Sequence, residues 1–168
     1  MIDAALESLK NFAGFPCLIF LASRALGKDA VEIGEKLATF LTRWESHGSP
    51  VQGGFAILED RFIVVAHRPL EISGCSRDDL LFFIRDLGKE LGVEWLGAAR
   101  IFYREGDGVV DVDRLEFKTR AQAGKITPET IVFDTTVREV NAVLEGRFAL
   151  PASQSWHARL MEPVLNPQ

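Results

Sequence analysis

The sequence has few of the residues that mark disulfide-rich, exported or membrane proteins. Two cysteines, Cys17 and Cys75, occur in 168 residues, far fewer than a disulfide scaffold uses. The amino-terminal stretch carries Asp3 and Glu7 where a signal peptide is basic, and its apolar run is too short for a membrane span. We therefore expect a cytoplasmic protein with free thiols and no membrane association.

Clusters of basic residues are also missing. The formal net charge is -5, and no run of Lys or Arg is longer than two residues. Nucleic-acid-binding proteins carry a basic patch or stripe, so we expect no nucleic-acid partner. What is present is typical of a globular chain, with 47% hydrophobic and 26% charged residues.

Motifs for metal and phosphate binding are absent from the sequence. Asp107, Asp111 and Asp113 do not have the spacing of a calcium loop, and no His or Cys residues have zinc-ligand spacing. None of the Gly-Lys steps lies in a Walker-type loop. We expect no metal and no cofactor.

Hydrophobic periodicity predicts six elements in residues 1–110. They alternate as strand, helix, strand, strand, helix and strand, at 17–22, 29–47, 55–58, 62–66, 77–91 and 98–104. We expect a capping box at Asp29 and Glu32, and a bulge or bend at Gly53 and Gly54. This order is typical of a ferredoxin-like α+β fold, in which two helices cover one face of a four-stranded antiparallel sheet.

Residues 111–168 are expected to form a small C-terminal α/β extension. A helix is predicted near 112–123, with Gly124 as its stop, and a strand at 131–133. The segment is short for an independent core, and no Gly/Ser-rich linker precedes it. We expect it to pack on the first 110 residues as part of one structural domain.

Cys75 is the first candidate site residue, and the sequence leaves two interpretations open. If Ser76 is the N-cap of the second helix and Asp79 its capping-box partner, Cys75 packs against Leu80 as an apolar plug. Alternatively, the positive end of the helix dipole favours the thiolate and makes Cys75 a nucleophile, although Asp78 and Asp79 oppose this.

His157 is the candidate general base for such a nucleophile. Cysteine nucleophiles are commonly activated by an imidazole that is distant in sequence. The alternative is a hydrogen-bonding histidine that fixes the tail beside Trp156. His47 is interpreted as a cation at the end of the first helix, and His67 shows no evident chemistry.

Three stretches resemble a known family. "RFIVVA" followed by "SGCS" and Asp78, then "GKITPETIVFD", then "SWHAR", are similar to small uncharacterised bacterial proteins common in Bacteroidetes-like phyla. Members often carry the label of a transporter ATPase, which the missing phosphate loop contradicts here. The resemblance implies no activity; this chain departs from it at Arg77 and Leu160.

The resemblance directs attention to one set of positions. They are Cys75, Asp78, Trp156, His157 and Arg159. Together with Ser73 and Ser76, the non-catalytic members of this set form the predicted ligand- or partner-binding residues.

Two functions remain open from the sequence. We expect a non-catalytic binding or assembly module, because every candidate catalytic residue also has a sufficient structural role. Dimerisation through an exposed sheet edge is a further possibility within this binding class. The alternative is a thiol-dependent enzyme with Cys75 as nucleophile and His157 as general base.

Overall fold

The computed structural model describes residues 2–162 as a mixture of helices and antiparallel sheets. The helices are α1 (Ile2–Lys10), α2 (Asp29–Leu41), α3 (Gly74–Leu91), α4 (Arg114–Gln122), α5 (Val140–Leu144) and α6 (Ala158–Met161). The strands are β1 (Cys17–Ala22), β2 (Glu45–Ser46), β3 (Ser49–Pro50), β4 (Gln52–Leu58), β5 (Phe62–Arg68), β6 (Trp95–Leu96), β7 (Ile101–Glu105), β8 (Gly108–Val112), β9 (Ile131–Phe133) and β10 (Ala149–Pro151). The α+β class is therefore confirmed.

The chain divides into two compact units. The first comprises Met1–Leu96 and Val137–Glu145, and the second comprises Gly97–Thr136 and Gly146–Gln168. The sequence prediction placed its division at residue 110, whereas here β7 belongs to the second unit. Helix α5 belongs to the first unit because the residues just before it bond to β1. The Cys17 amide donates to the Arg138 carbonyl at 2.8 Å.

The sheet of the first unit has the strand order β4-β5-β1-β6, and every neighbouring pair is antiparallel. Strand β5 lies inside this sheet, and its residues Phe62 to His67 are all buried, so its sequence reads as an unbroken apolar run. The β4–β5 hairpin predicted from the sequence is confirmed. Its turn holds Glu59 and Asp60 in the left-handed region, with φ of 53° and 57°.

Helices α2 and α3 pack on one face of this sheet. Their apolar positions recur at helical spacing and meet the alternate residues of β1 and β5 that point the same way. The shared core contains Ile33, Leu37, Leu80, Ile84, Leu87, Phe20, Ile63 and Val65.

The helix predicted at 29–47 begins at the same residue as α2, but it lacks the predicted capping box and ends earlier. Asp29 pairs with Arg24 at 2.7 Å, and the helix has no side-chain cap. The helix ends at Leu41, because the chain then forms the β2–β3 hairpin around His47 and Gly48, whose φ values are 51° and 75°. His47 is therefore a turn residue and not a helix-end cation.

Gly53 and Gly54 do not form the predicted bulge. The β4–β5 register runs without interruption from Gln52 to Leu58. A Cβ on Gly54 would overlap the Phe12 ring, and one on Gly53 would lie 2.6 Å from Leu41. These glycines permit close packing on both faces of the strand.

The fourth strand of the first sheet is β6 and not the predicted segment 98–104. Gly97 ends β6 after two residues, and β7 pairs with β8 and β9 in a second antiparallel sheet of order β10-β9-β7-β8. Helix α4 begins after the N-cap Asp113, and Gly124 follows it at a φ of 73°. The predicted helix, its stop and the strand at 131–133 are confirmed.

Helix α1 was not foreseen, although Ala, Leu, Glu and Lys make up most of "IDAALESLK" and favour helices. Among residues 2–162, no helix combines the length and apolarity needed to cross a membrane.

Candidate functional site

The first turn of α3 contains most of the predicted site residues of the first unit. Its N-cap is Ser73, whose hydroxyl accepts from the Ser76 amide at 3.0 Å. The amide of Ser73 donates to the Ser46 hydroxyl at 2.9 Å, which ties the helix start to the β2–β3 hairpin. The predicted N-cap, Ser76, is instead buried inside the first turn.

This shift of the helix start changes the environment of Cys75. Cys75 becomes the second helical residue and is exposed, so its predicted role as an apolar plug is wrong. Asp78, one turn further along, is also exposed. Cys75 is therefore accessible to solvent reagents, whereas Cys17 is buried, and burial raises the pKa of the Cys17 thiol to about 11.

The buried side chains of Trp44 and His67 pack against the first turn of α3. The Trp44 indole N–H donates to the Ser76 carbonyl at 2.8 Å, and its ring meets that of His67 edge-on at 5.9 Å. His67 Nδ1 lies 2.9 Å from the Pro69 carbonyl. Burial, together with the nearby Arg77 charge, lowers the pKa of His67 below its usual value. This packing role of His67 was not foreseen, although strand alternation places the residue on the same sheet face as Ile63 and Val65.

A groove of about 650 Å³ lies between the C-terminal half of α3 and strand β6. Phe20, Ile84 and Trp95 contribute apolar surface to it. Its lining also includes four exposed residues, Leu81, Arg85, Lys89 and Glu94. The groove therefore combines an apolar floor with a charged rim, as ligand and partner sites commonly do.

The floor of this groove depends on Gly88. The indole N–H of Trp95 donates to the Ile84 carbonyl at 2.8 Å, which brings the ring against the helix. A Cβ on Gly88 would overlap Trp95 Nε1 and would lie 2.5 Å from the Val93 carbonyl oxygen. Only glycine leaves room for this contact.

Two apolar side chains next to the groove face solvent. Leu81 is 41% exposed and Phe82 is 52% exposed, in consecutive positions of α3. Arg85 lies over the Phe82 ring at 4.9 Å and pairs with Asp86 at 2.8 Å. Adjacent exposed apolar side chains beside an apolar groove are a feature of interaction surfaces.

The predicted residues of the tail have different surroundings. His157 is 1% exposed, and its Nδ1 lies 2.8 Å from the Ser155 hydroxyl. Its ring stacks on Trp156 at 3.8 Å between centroids and meets Phe117 at 5.8 Å. Burial lowers the pKa of His157 to about 4, with the Asp134 carboxylate acting in the opposite direction. The imidazole is thus enclosed and a weak base.

Trp156 covers this histidine while part of its own surface stays open. Its indole N–H donates to Asp134 Oδ1 at 3.2 Å, and the residue is 39% exposed. Asp134 also accepts from the amide of Thr136 at 3.0 Å. Arg159 follows on the exposed side of the short helix α6.

The predicted residues are divided between the two units of the chain. Ser73, Cys75, Ser76 and Asp78 belong to the first unit, and the tail residues Trp156, His157 and Arg159 belong to the second. The groove beside α3 was not foreseen, since its residues come from β1, α3 and β6 and only the helical pattern was visible in the sequence. Within the part of the chain that the structure describes, no group of three His, Cys, Asp or Glu side chains could hold a metal ion.

Comparison with protein-family models, with curated proteins and with solved structures gives no match for this chain.

Proposed function

We propose that this protein is a non-catalytic binding or assembly module whose contact surface is the groove between α3 and β6. The observation that supports this most is the groove itself, with Phe20 and Trp95 in its floor and exposed Leu81 on its border. An apolar side chain of a partner protein is the ligand that such a surface favours. The groove's charged groups, Arg85, Lys89 and Glu94, then contribute orientation more than affinity.

The surroundings of the two catalytic candidates give less support to the thiol-dependent enzyme. Cys75 is open to solvent, but His157 is enclosed by Trp156, Phe117 and Ser155. A general base must reach the proton that it removes, and its pKa should lie near the working pH. The pair Cys75 and His157 remains the alternative proposal. Ser73, Ser76, Asp78, Trp156 and Arg159 remain proposed ligand- or partner-binding residues.

Binding of anilinonaphthalene sulfonate tests the proposed surface. This dye has an aromatic body for the floor and a sulfonate for Arg85 and Lys89. We expect saturable fluorescence enhancement with the wild-type chain and its loss in Leu81→Asp. Leu115→Asp is the matched control, because Leu115 is an exposed leucine on α4, and it should bind the dye like the wild type. Absence of enhancement in the wild type, or equal enhancement in both variants, would contradict the proposal.

Further sequence predictions also stay proposals. We propose a ferredoxin-like arrangement for the first unit, supported by the order β4-β5-β1-β6 and by α2 and α3 on one face. The likeness to the small bacterial family rests on the sequence stretches alone. A cytoplasmic location and a homodimer formed through a sheet edge are likewise predictions.

A further inference from the structure

We propose that the partner of the α3 surface is a second copy of this chain, bound with the two α3 helices antiparallel about a two-fold axis. This inference rests on the proposed function, since it names the partner of the same module. The feature that carries it is a self-complementary row of exposed side chains on one face of α3. In sequence order they are Asp78, Leu81, Phe82 and Arg85, and Lys89 extends the row at its C-terminal end.

The spacing of these residues places them on a common helix face. Positions 78, 82, 85 and 89 follow each other at intervals of three or four residues, which is the repeat of neighbours on one side of a helix. Leu81 borders the same face on the side of the groove. The buried positions Leu80, Ile84 and Leu87 point the other way, into the core of the first unit. The whole row is therefore available to a second molecule.

The order of charges along this row fits an antiparallel copy of itself. In a two-fold interface, residue i of one copy meets residue j of the other and the reverse. An axis that passes between Leu81 and Phe82 puts Asp78 of each copy opposite Arg85 of the other. Both residues lie about 5 Å along the helix from this axis, at about 1.5 Å per residue. The four apolar side chains then form the centre, and two opposite-charge pairs flank it.

A parallel arrangement does not give this match. It would place Asp78 beside Asp78 and Arg85 beside Arg85, which is a like-charge contact at each end. In the isolated chain, Arg85 instead pairs with Asp86, and both side chains are more than half exposed. Exposed ion pairs of this kind contribute little to stability. Arg85 can therefore leave Asp86 and pair with Asp78 of the second copy at little cost in free energy.

One helix from each copy makes a small contact, so we expect a weak, concentration-dependent dimer. Sedimentation equilibrium of the full chain, over concentrations from low micromolar to near millimolar, measures it. Asp78→Arg and Arg85→Asp should each weaken the dimer about tenfold or more, because each variant puts like charges together. Asp107→Arg, in the exposed β7–β8 turn, is the matched charge control and should dimerise like the wild type.

Mixing the two weakened variants provides the decisive measurement. The Asp78→Arg copy has an arginine at both positions of the pair, and the Arg85→Asp copy has an aspartate at both, so their antiparallel mixture regains both opposite-charge pairs. We expect the equimolar mixture to dimerise although neither variant does so alone. A wild-type chain that stays monomeric, or a dimer that persists unchanged in Asp78→Arg, would overturn the inference. The second result would indicate another surface, such as a sheet edge.

The dye experiment separates this inference from the proposed function. Asp78 does not line the groove, so Asp78→Arg leaves the groove intact. Monomeric wild-type protein that still binds the dye through Leu81 would overturn the self-association and leave the binding module standing. A wild-type chain that neither dimerises nor binds the dye would overturn both the self-association and the proposed binding module.

Discussion

Helix α3 and the tail segment from Ser155 to His157 differ in what they expose. The helix presents Cys75, Leu81 and Phe82 to solvent beside an open groove. The tail encloses His157, the residue with the most evident chemistry, between aromatic rings. A reactive residue type therefore does not identify a site. The histidine is used for packing, whereas the open surface lies on a helix whose apolar periodicity was visible in the sequence but whose exposed face was not.

The largest effect should come from truncating the enclosed histidine. His157→Ala removes the ring that stacks on Trp156 and leaves a cavity beside Phe117, so we expect a loss of about 2 to 4 kcal/mol in the free energy of unfolding. Cys75→Ala, at an exposed position, should change it by less than about 0.5 kcal/mol. Urea unfolding of both variants measures the difference. Equal effects would show that the two regions do not differ as described.

A second difference lies between the first turn of α3 and its last two turns. Gly88→Ala puts a methyl group against Trp95 and the Val93 carbonyl oxygen, and we expect it to destabilise the fold by about 1 to 3 kcal/mol. Gly74→Ala is the matched control, because a Cβ there meets nothing within 4 Å and alanine favours the helix. Thermal unfolding followed by circular dichroism compares them. A neutral Gly88→Ala would mean that Trp95 does not pack against the helix as the floor of the groove.

Stability should also depend on pH through the enclosed histidine. The folded-state pKa of His157, about 4, is below its ordinary value of 6.5, so the unfolded chain binds more protons between these values. The contribution of His157 to the free energy of unfolding is fully present above pH 6.5. It is lost as the pH falls toward 4, by at most about 1.4 kcal/mol per pH unit. His67 acts in the same direction, since its pKa is also lowered.

The variant His157→Gln isolates the contribution of His157 to this pH dependence. Its free energy of unfolding should fall less than that of the wild type between about pH 6.5 and 5, while His67 and the carboxyl groups contribute equally to both. Identical pH profiles would contradict the buried, neutral imidazole.

The smallest effect concerns the exposed side chains of α3. Phe82→Ser should lower the free energy of unfolding by at most about 1 kcal/mol, because the side chain is about half exposed, with Arg85 over its ring. The same substitution should weaken self-association, which sedimentation detects. A large loss of stability would show that Phe82 belongs to the core and not to a contact surface.

Much of the fold follows from local sequence signals. Strands β1, β4, β5 and β9, the body of α3, and the stop at Gly124 were visible as apolar runs and a glycine. The errors arise where tertiary contacts decide. Asp29 looked like a cap but pairs with Arg24, and Trp44 continued the helical spacing but lies beyond the helix, under Ser76. Strand β6 has two residues, too few to show periodicity.

The candidate site could be predicted only in part, for a related reason. Ser73 and Ser76 lie three residues apart, and either could serve as the N-cap of α3; the choice depends on the Ser46 hydroxyl, which is distant in sequence. The groove requires Phe20, Ile84 and Trp95 to come together across three elements, which no local pattern encodes. His157 was identifiable as a residue, but its enclosure by Phe117 was not.

The most direct test of a non-catalytic function is the rate at which iodoacetamide alkylates Cys75 in the folded chain at about pH 7. Cys17→Ala limits the reaction to one thiol, and His157→Gln provides the comparison. We expect a rate no faster than that of an unfolded peptide containing Cys75, and the same rate with and without His157. A rate well above that of the peptide that falls when His157 is replaced would contradict it, and would make Cys75 the nucleophile of an enzyme.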